Sequence, residues 1–281
     1  MKKIKLALLG IDGKMGHIIF EHFSKQGKFE VVCGIDVAEN SGKKLTSGST
    51  EIVITDDWSA IENVAPDVAI CFAKGPNVVE LISTCLINGI PVVNGTTGFS
   101  DDDRNKISAV STENHVNYFF ASNFSIKSVL TTDAVVQVAK YNELKNVIVR
   151  EYHPESKVDA PSGTALTTVE AILQSHGIEY NRSMLKEISK PEWVSDSEET
   201  DLMIKRQVFD YCGVWIESIR GNHYVAKQVV EIRGVDSIKY IHNAPDRLAY
   251  MPGLELAIEW ALSGHALSYN DGGLLRLLKK D

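Results

Sequence analysis

The sequence has few of the features that mark disulfide-bonded, metal-binding or membrane-spanning proteins. Four of its 281 residues are cysteine, none is paired in a C-x-x-C motif, and no histidine lies at zinc-site spacing from them. We expect Cys33, Cys71, Cys85 and Cys212 to be free thiols, as in a reducing cytoplasm, and we expect no metal site. No stretch reaches the about 18 apolar residues of a transmembrane helix, and the run at 4–9 is too short for a signal peptide.

The chain also lacks an excess of positive charge. Its 29 Lys and Arg residues are outnumbered by 37 Asp and Glu residues, which gives a net charge of −8. This balance argues against nucleic acid and anionic membranes as partners, although local cationic and backbone N–H groups still allow an anionic ligand. A hydrophobic content of 44% is ordinary for a globular protein, and the length suits two domains or one large one.

Strands and helices alternate through the first half of the sequence. An apolar run at 4–9, a helical pattern at 14–26 and a second apolar run at 29–35 form one βαβ unit with parallel strands. Further strands are predicted at 52–55, 68–72, 91–94 and 117–121, further helices at 58–64, 77–88 and 101–113, and a loop at 39–50. The alternation predicts an α/β domain with a Rossmann-type doubly wound parallel sheet.

The pattern changes after about residue 125. Helices are predicted at 128–141, 164–176, 252–262 and 272–278, a strand at 146–152, antiparallel strands at 214–219, 223–232 and 236–242, and an exposed loop at 179–201. This order predicts a second, α+β domain with a mixed or antiparallel sheet, and terminal helices that return to the first domain.

A glycine-rich turn joins the first strand to the first helix. The glycines in Gly10-Ile11-Asp12-Gly13-Lys14-Met15-Gly16 allow a pyrophosphate to approach the backbone, and the helix N-terminus offers N–H groups and partial positive charge. Asp36 ends the second strand, where a carboxylate accepts both ribose hydroxyls of NAD and repels the 2′-phosphate of NADP. These features predict a dinucleotide site, with NADH as the preferred cofactor and NADPH as the alternative. Gly95-Thr96-Thr97-Gly98 follows another strand, at the sheet edge where ligands bind.

A second informative stretch runs from Glu151 to Ala165. His153 can exchange a proton near neutral pH, and Lys157 adds positive charge. The helix predicted to follow would present N–H groups around Ser162, Gly163 and Thr164 to a carboxylate. A small dianionic substrate fits this arrangement.

Residues 157–165, KVDAPSGTA, resemble the most specific motif of the 4-hydroxy-tetrahydrodipicolinate reductases, also called dihydrodipicolinate reductases, of lysine and diaminopimelate biosynthesis. Residues 10–16, 95–99 and 121–125 match further motifs of this family in the same order, and 247–260 matches more loosely. The resemblance implies that NAD(P)H reduces dihydrodipicolinate to tetrahydrodipicolinate.

The resemblance also implies roles for individual residues. His153 would act as the acid, Lys157 as a second acid and substrate anchor, and Gly163 and Thr164 as ligands of a substrate carboxylate. The implied cofactor contacts are Gly10, Ile11, Asp12, Gly13, Lys14, Met15, Asp36, Gly95, Thr96, Thr97, Ala121, Ser122, Asn123 and Phe124. The family further implies a homotetramer, with a dinucleotide-binding domain at 1–125 and 246–281 and a substrate-binding and oligomerisation domain at 126–245.

Three departures from the family pattern cluster around the expected substrate. Pro154 replaces the second of two consecutive histidines, Glu155 is acidic where basic or neutral residues are common, and Ala226-Lys227-Gln228 replaces Gly-Glu-His. These changes leave an alternative open, a related reductase that acts on a different cyclic imine or acid. A cofactor-binding protein without turnover is a further alternative, but the presence of both His153 and Lys157 argues against it.

Overall fold

The computed structural model of the chain describes residues 2–195, 203–263 and 273–279. They divide into two units, Met1–Ile126 with Leu248–Asp281, and Lys127–Arg247. Each unit is built around its own sheet of seven strands. The combination of a parallel Rossmann-type sheet and a mixed sheet confirms the predicted fold class.

The first unit contains the strands Ile4–Leu9 (β1), Phe29–Ile35 (β2), Lys44–Ser47 (β3), Thr50–Thr55 (β4), Val68–Cys71 (β5), Val92–Asn94 (β6) and Tyr118–Phe120 (β7). Most of these strands are apolar because helices cover the sheet. The helices between them are Lys14–Ser24 (α1), Ala60–Val64 (α2), Val78–Ile87 (α3) and Asp101–Glu113 (α4). The sheet order is β3-β4-β2-β1-β5-β6-β7, and every neighbouring pair except β3–β4 is parallel. The carboxyl ends of the parallel strands therefore lie at one edge.

The second unit begins with helix Ile126–Ala139 (α5), strand Val147–His153 (β8) and helix Gly163–Ser175 (α6). Its remaining strands are Leu185–Glu187 (β9), Glu192–Ser195 (β10), Met203–Tyr211 (β11), Val214–Arg220 (β12), Ala226–Arg233 (β13) and Ser237–Ala244 (β14). Helices Met251–Ala261 (α7) and Gly273–Lys279 (α8) belong to the first unit. Short 3₁₀ turns cover Ala38–Asn40, Leu144–Asn146, Arg182–Met184 and Arg247–Tyr250.

One face of the second sheet packs against α5 and α6. Val149, Ile216 and Val230 occupy neighbouring positions on this face and are buried with apolar residues of both helices. The alternate residues of the same strands lie on the opposite face, where Arg150 pairs with Glu217 and Glu231. The alternation of β8 therefore separates an apolar face from a charged one.

Several local predictions were wrong. The predicted loop at 39–50 contains β3, whose polar side chains suit an edge strand that faces solvent. The predicted loop at 179–201 contains β9 and β10, and its residues 196–201 lie outside the described residues. Strand β11 was not predicted. Strand β12 lies between β8 and β11, and it is antiparallel to β11 but parallel to β8, because the chain returns through α6 before it reenters the sheet.

Candidate active site

The glycine-rich turn after β1 packs too closely for side chains. Gly10 has a φ of +84°, and a Cβ on this residue would lie 2.6 Å from the Cα of Ala73. A Cβ on Gly16 would lie 2.3 Å from the carbonyl oxygen of Gly10. Gly13 is the N-cap of α1 and offers no side chain to the first-turn N–H groups, so these donors can bind an anion.

The predicted cofactor residues follow the carboxyl ends of parallel strands. Gly10, Ile11, Asp12 and Gly13 form the turn, and Lys14 and Met15 begin α1. Gly95, Thr96 and Thr97 follow β6, and Ala121, Ser122, Asn123 and Phe124 follow β7. Backbone hydrogen bonds join neighbouring segments, from Gly95 N to Cys71 O (2.8 Å) and from Ala121 N to Asn94 O (3.1 Å). The structure thus gathers these residues at one edge of the sheet, while their contacts to a cofactor stay a prediction.

The end of β5 also contributes to this edge, although the sequence did not point to it. A Cβ on Gly95 would lie 2.2 Å from the ring of Phe72, so the absence of a side chain lets this aromatic residue pack against the turn. Thr96 Oγ1 donates to the carbonyl oxygen of Ala73 at 2.8 Å. The ring centroids of Phe72 and Phe124 are 5.8 Å apart. These contacts fix the positions of the turns after β6 and β7.

The carboxylate of Asp36 organises the end of β2. Its Oδ2 accepts from the backbone N–H of Asp12 at 2.8 Å, which ties the second strand to the glycine-rich turn. Its Oδ1 accepts from the N–H of Val37 at 2.9 Å and from Asn40 Nδ2 at 2.8 Å. Asp36 therefore lies beside the glycine-rich turn, and its contact with a ribose stays a prediction.

A lysine that the sequence analysis did not identify lies beside this carboxylate cluster. Lys43 Nζ donates to Asp12 Oδ2 at 2.9 Å and to Asn40 Oδ1 at 2.6 Å. The hydrogen bond from Lys43 lowers the pKa of Asp12 despite some desolvation, and His17 lowers it further. The cluster thus combines a hydrogen-bond acceptor for ribose hydroxyls with a cation that can attract a phosphate.

In the second unit, a buried carboxylate joins the predicted catalytic segment to the sheet. Glu151 lies on β8, is fully buried, and its Oε2 is hydrogen-bonded to Nδ1 of His153. Its Oε1 accepts from Arg220 Nη2 at 2.9 Å and from the backbone N–H of Ser162 at 3.2 Å. Burial alone would raise the pKa of Glu151, but the hydrogen bond and charge of His153, together with Arg220, hold it below its usual value. Glu151 is therefore ionised at neutral pH.

Arg220 also holds the loop that carries Lys157. Its Nη2 donates to the carbonyl oxygen of Asp159 at 2.6 Å, and its Nε donates to the carbonyl oxygen of Lys157 at 3.3 Å. Lys157 Nζ lies 2.8 Å from both carboxylate oxygens of Asp159. Desolvation opposes this ion pair, but Lys157 nevertheless holds the pKa of Asp159 below its usual value.

The first turn of α6 follows this loop. Ser162 is the N-cap, and its Oγ accepts from the N–H of Ala165 at 3.3 Å. The N–H groups of Gly163 and Thr164 belong to the first turn and have no carbonyl partner earlier in the helix. A Cβ on Gly163 would meet nothing within 4 Å, so the approach to this turn is open. The arrangement can bind a carboxylate.

The residues that depart from the family motif have structural partners of their own. The carbonyl oxygen of Pro154 accepts from the N–H of Lys157 at 3.0 Å, which closes a tight turn. Glu155 is exposed and accepts from Asn222 Nδ2 at 3.0 Å. Neither side chain donates a hydrogen bond to an anion, so the substrate contact of a second histidine is not replaced at these positions.

Among residues 2–195, 203–263 and 273–279, no group of three or more His, Cys, Asp or Glu side chains is arranged to hold a metal ion. In the same part of the chain, no helix combines the length and apolar character needed to cross a membrane. The four cysteines are free.

Comparisons with known proteins match both halves of the chain. The family described as dihydrodipicolinate reductase, N-terminus, matches residues 4–124, and the family described as dihydrodipicolinate reductase, C-terminus, matches residues 128–274. A 4-hydroxy-tetrahydrodipicolinate reductase of Bacillus licheniformis is 29% identical over 95% of this chain and 96% of its own length. A protein of the same name from Desulfitobacterium hafniense is 30% identical over 93% of this chain and 94% of its own length.

Solved structures show the same fold. A dipicolinate-bound dihydrodipicolinate reductase from Paenisporosarcina sp. TG-14 superposes with a TM-score of 0.69 and 24% identity, over 93% of this chain and 95% of that one. A myo-inositol 2-dehydrogenase from Lactobacillus plantarum gives a TM-score of 0.62 and 11% identity, over 99% of this chain and 96% of that one. At these identities the likeness concerns the fold, and the sequence matches carry the family assignment.

Proposed function

The chain belongs to the dihydrodipicolinate reductase family, and from this premise we propose that it catalyses the NAD(P)H-dependent reduction of dihydrodipicolinate to tetrahydrodipicolinate in lysine and diaminopimelate biosynthesis. One observation carries the proposal beyond the family name. His153, the N-cap Ser162 and, through Arg220, the Lys157 loop all connect to the buried carboxylate of Glu151. Glu151 thereby holds both the proposed proton donor, His153, and the segment proposed to bind a carboxylate.

The charges of the second unit suit a small dicarboxylate. Lys157 offers an ammonium group, and the N–H groups of Gly163 and Thr164 offer donors at a helix N-terminus, so two substrate carboxylates can be offset by separate groups. Ser162 supports this turn through its cap. We propose Lys157, Ser162, Gly163 and Thr164 as the substrate-binding residues.

The proton in the reaction comes from the chain. When bound, the dihydronicotinamide supplies a hydride to the ring of the substrate. The electron pair left on the ring nitrogen takes up a proton, which balances the reaction, and we assign its delivery to His153 with Lys157 as the second acid. The positive charge of Lys157 also stabilises the negative charge that develops before protonation.

The first unit suits NADH as the preferred cofactor. Asp36 lies at the end of β2 with its carboxylate fixed by Asp12 and Asn40, in the position where ribose hydroxyls are recognised. Lys43, within the same cluster, offsets part of the repulsion between this carboxylate and a 2′-phosphate. We therefore propose NADH as the preferred cofactor and NADPH as an accepted alternative.

A coupled assay tests the proposed function. The preceding synthase generates dihydrodipicolinate in situ from pyruvate and aspartate semialdehyde, while NADH and NADPH oxidation are followed separately. We expect rapid oxidation that is faster with NADH and that falls by at least 10²-fold in His153→Gln, the usual size of a lost general acid. The matched control is His176→Gln in the same unit, which we expect to retain activity. No oxidation by the wild-type protein, with NADH binding intact, would overturn the proposal.

A second candidate function follows from Pro154. Pro154 replaces a histidine that would donate to a dicarboxylate, and the neighbouring Glu155 is acidic and paired with Asn222. A related reductase that acts on another cyclic imine or acid would show no turnover in the coupled assay but would oxidise NADH with its own substrate. Pro154→His then distinguishes the two candidates, since a gain of dihydrodipicolinate turnover in this variant would identify a diverged substrate site.

The open face of the second sheet supports a homotetramer. Trp215 and Ile241 lie on the face opposite α5 and α6, and they are 40% and 59% exposed. Exposed apolar residues that share one face are typical of an interface between subunits. We propose that copies of this chain associate through this face. Light scattering after size-exclusion chromatography should give about four times the chain mass, Ile241→Glu should reduce it, and a monomeric wild type would overturn the proposal.

We also propose a cytoplasmic location, since the four free cysteines suit a reducing compartment. Cell fractionation tests this location. The protein is expected with cytoplasmic markers, and recovery from an oxidising compartment would contradict it.

A further inference from the structure

Catalysis by His153 depends on which ring nitrogen carries the proton in the neutral form. Nδ1 faces Oε2 of Glu151, and Nε2 lies on the opposite side of the ring. An ionised carboxylate can only accept hydrogen bonds, so Nδ1 must be the donor. Among the described residues the His153 ring has no hydrogen-bond partner besides Glu151, which leaves Nε2 for a ligand.

From this contact we infer that Glu151 is a positioning residue, which fixes His153 in the Nδ1–H tautomer and stabilises the imidazolium that delivers the proton from Nε2. The inference rests on the proposed reductase function. It assigns to Glu151 an effect that reaches the substrate only through His153, because the carboxylate itself is fully buried.

Two further donors hold Glu151 in the required orientation. Arg220 Nη2 and the N–H of Ser162 both donate to Oε1, so Oε2 alone is left for His153. Arg220 is 7% exposed and comes from the neighbouring strand β12. His153 therefore approaches Glu151 from its own strand, the charged Arg220 approaches from β12, and a backbone donor approaches from the start of α6. The pKa of Glu151, held below its usual value, agrees with a permanent negative charge at this position.

The two donors on Oε1 make Glu151→Gln informative. A glutamine would keep its carbonyl oxygen toward Arg220 and Ser162 and turn its NH₂ group toward Nδ1 of His153. Nδ1 would then have to accept, and the neutral imidazole would carry its proton on Nε2. The substitution therefore reverses the tautomer while it preserves the shape of the side chain.

Nitrogen NMR of the full-length protein with ¹⁵N-labelled histidine tests the tautomer without substrate. The chain has eight histidines, and the His153 signals are assigned by their loss in His153→Asn. We expect neutral His153 to carry its proton on Nδ1 in the wild type and on Nε2 in Glu151→Gln. A wild-type protein with the proton on Nε2 would overturn the inference.

Kinetics supply the second readout. In Glu151→Gln we expect kcat to fall by about 10²–10³-fold, within the range of general acid catalysis, while KM for dihydrodipicolinate changes less than threefold. Glu151→Asp keeps the negative charge. We expect this variant to keep the Nδ1–H tautomer and to have a kcat at least tenfold higher than that of Glu151→Gln. The matched control is Glu170→Gln, which removes a carboxylate on α6 that pairs with Arg182 and is expected to match wild type.

The outcomes separate this inference from the proposed function. No turnover by the wild type would remove the reductase proposal, while the NMR result would still decide the role of Glu151. If thermal melting shows that Glu151→Gln does not fold, the inference is tested by the tautomer of the wild-type protein and by the kcat of Glu151→Asp. Equal losses of kcat in Glu151→Gln and Glu170→Gln would reduce Glu151 to a structural residue and contradict the inference.

Discussion

Lys43→Ala is expected to weaken NADPH binding by about 5- to 30-fold and NADH binding by less than about threefold. The Lys43 ammonium lies 2.9 Å from Asp12 Oδ2 and 2.6 Å from Asn40 Oδ1, and Asn40 in turn donates to Asp36. It is thus linked through Asn40 to Asp36, the carboxylate proposed to face a ribose. A 2′-phosphate beside Asp36 would gain from this charge, whereas a 2′-hydroxyl would gain little.

The magnitude follows from the exposure of the lysine. Two unit charges 4 Å apart attract by about 1 kcal/mol in water and about 4 kcal/mol near a protein surface. The Lys43 side chain is 51% exposed, so we take the lower part of this range, about 1–2 kcal/mol. Because about 1.4 kcal/mol corresponds to a tenfold change in Kd, the expected loss for NADPH is about 5- to 30-fold.

Fluorescence titration of NADH and NADPH at low and high salt measures this effect. The NADPH loss should shrink at high salt, because an exposed ion pair is screened. Lys44→Ala is the matched control, since Lys44 is the next residue, carries the same charge and pairs with Glu51 at 3.0 Å. An equal loss for both cofactors, or no loss for NADPH, would refute the assignment of Lys43.

Three other predictions concern separate parts of the chain. Gly16→Ala should abolish NADH binding or folding of the first unit, since its Cβ would lie 2.3 Å from the Gly10 carbonyl oxygen, and normal titration with NADH would contradict this expectation. Lys157→Ala should raise KM for dihydrodipicolinate by at least about tenfold, the value of one charge-assisted contact, while exposed Lys145→Ala leaves it unchanged in the same assay. Hydrogen bonds from Arg233 on the same strand and from Arg150 lower the pKa of Glu231 to about 2, although burial alone would raise it. The stabilising charge of Glu231 is present above the ordinary value of 4.5 and is lost as pH falls toward 2, so urea unfolding should show a steeper acid loss of stability in wild type than in Glu231→Gln.

The sequence could predict that the proposed cofactor residues lie at one edge of the sheet, because a single periodic pattern determines the strand order. Apolar runs that alternate with helices predict parallel strands, and the carboxyl ends of such strands meet at one edge. The pattern therefore predicts that three segments lie close together, namely the glycine-rich turn, Asp36 and residues 95–97. No knowledge of contacts between distant residues is needed for this prediction. Lys43 could not be found in this way, because it precedes a short polar edge strand that has no apolar periodicity.

In the second unit, the sequence predicted a catalytic segment but not the buried carboxylate of Glu151 that holds it. The alternation of β8 places Glu151 on the same face as Val147 and Val149, which is the apolar face of the sheet. A carboxylate at a position that faces the core indicates a buried acid with a partner, so the sequence could have predicted the role of Glu151. Its partner Arg220 lies on a strand whose parallel pairing with β8 depends on the path of the whole unit, so no local pattern revealed it.

The ion pair between Lys157 and Asp159 has a consequence for ligand selection. Both oxygens of Asp159 already lie 2.8 Å from the ammonium, so an incoming carboxylate competes with one that the chain itself supplies. An intramolecular competitor acts at an effective concentration in the millimolar range or above, which a weakly bound monocarboxylate does not overcome. Under the proposed substrate binding, a dicarboxylate gains a second contact at the first turn of α6 and can overcome this competition. We therefore expect this loop to favour ligands with two carboxylates over ligands with one.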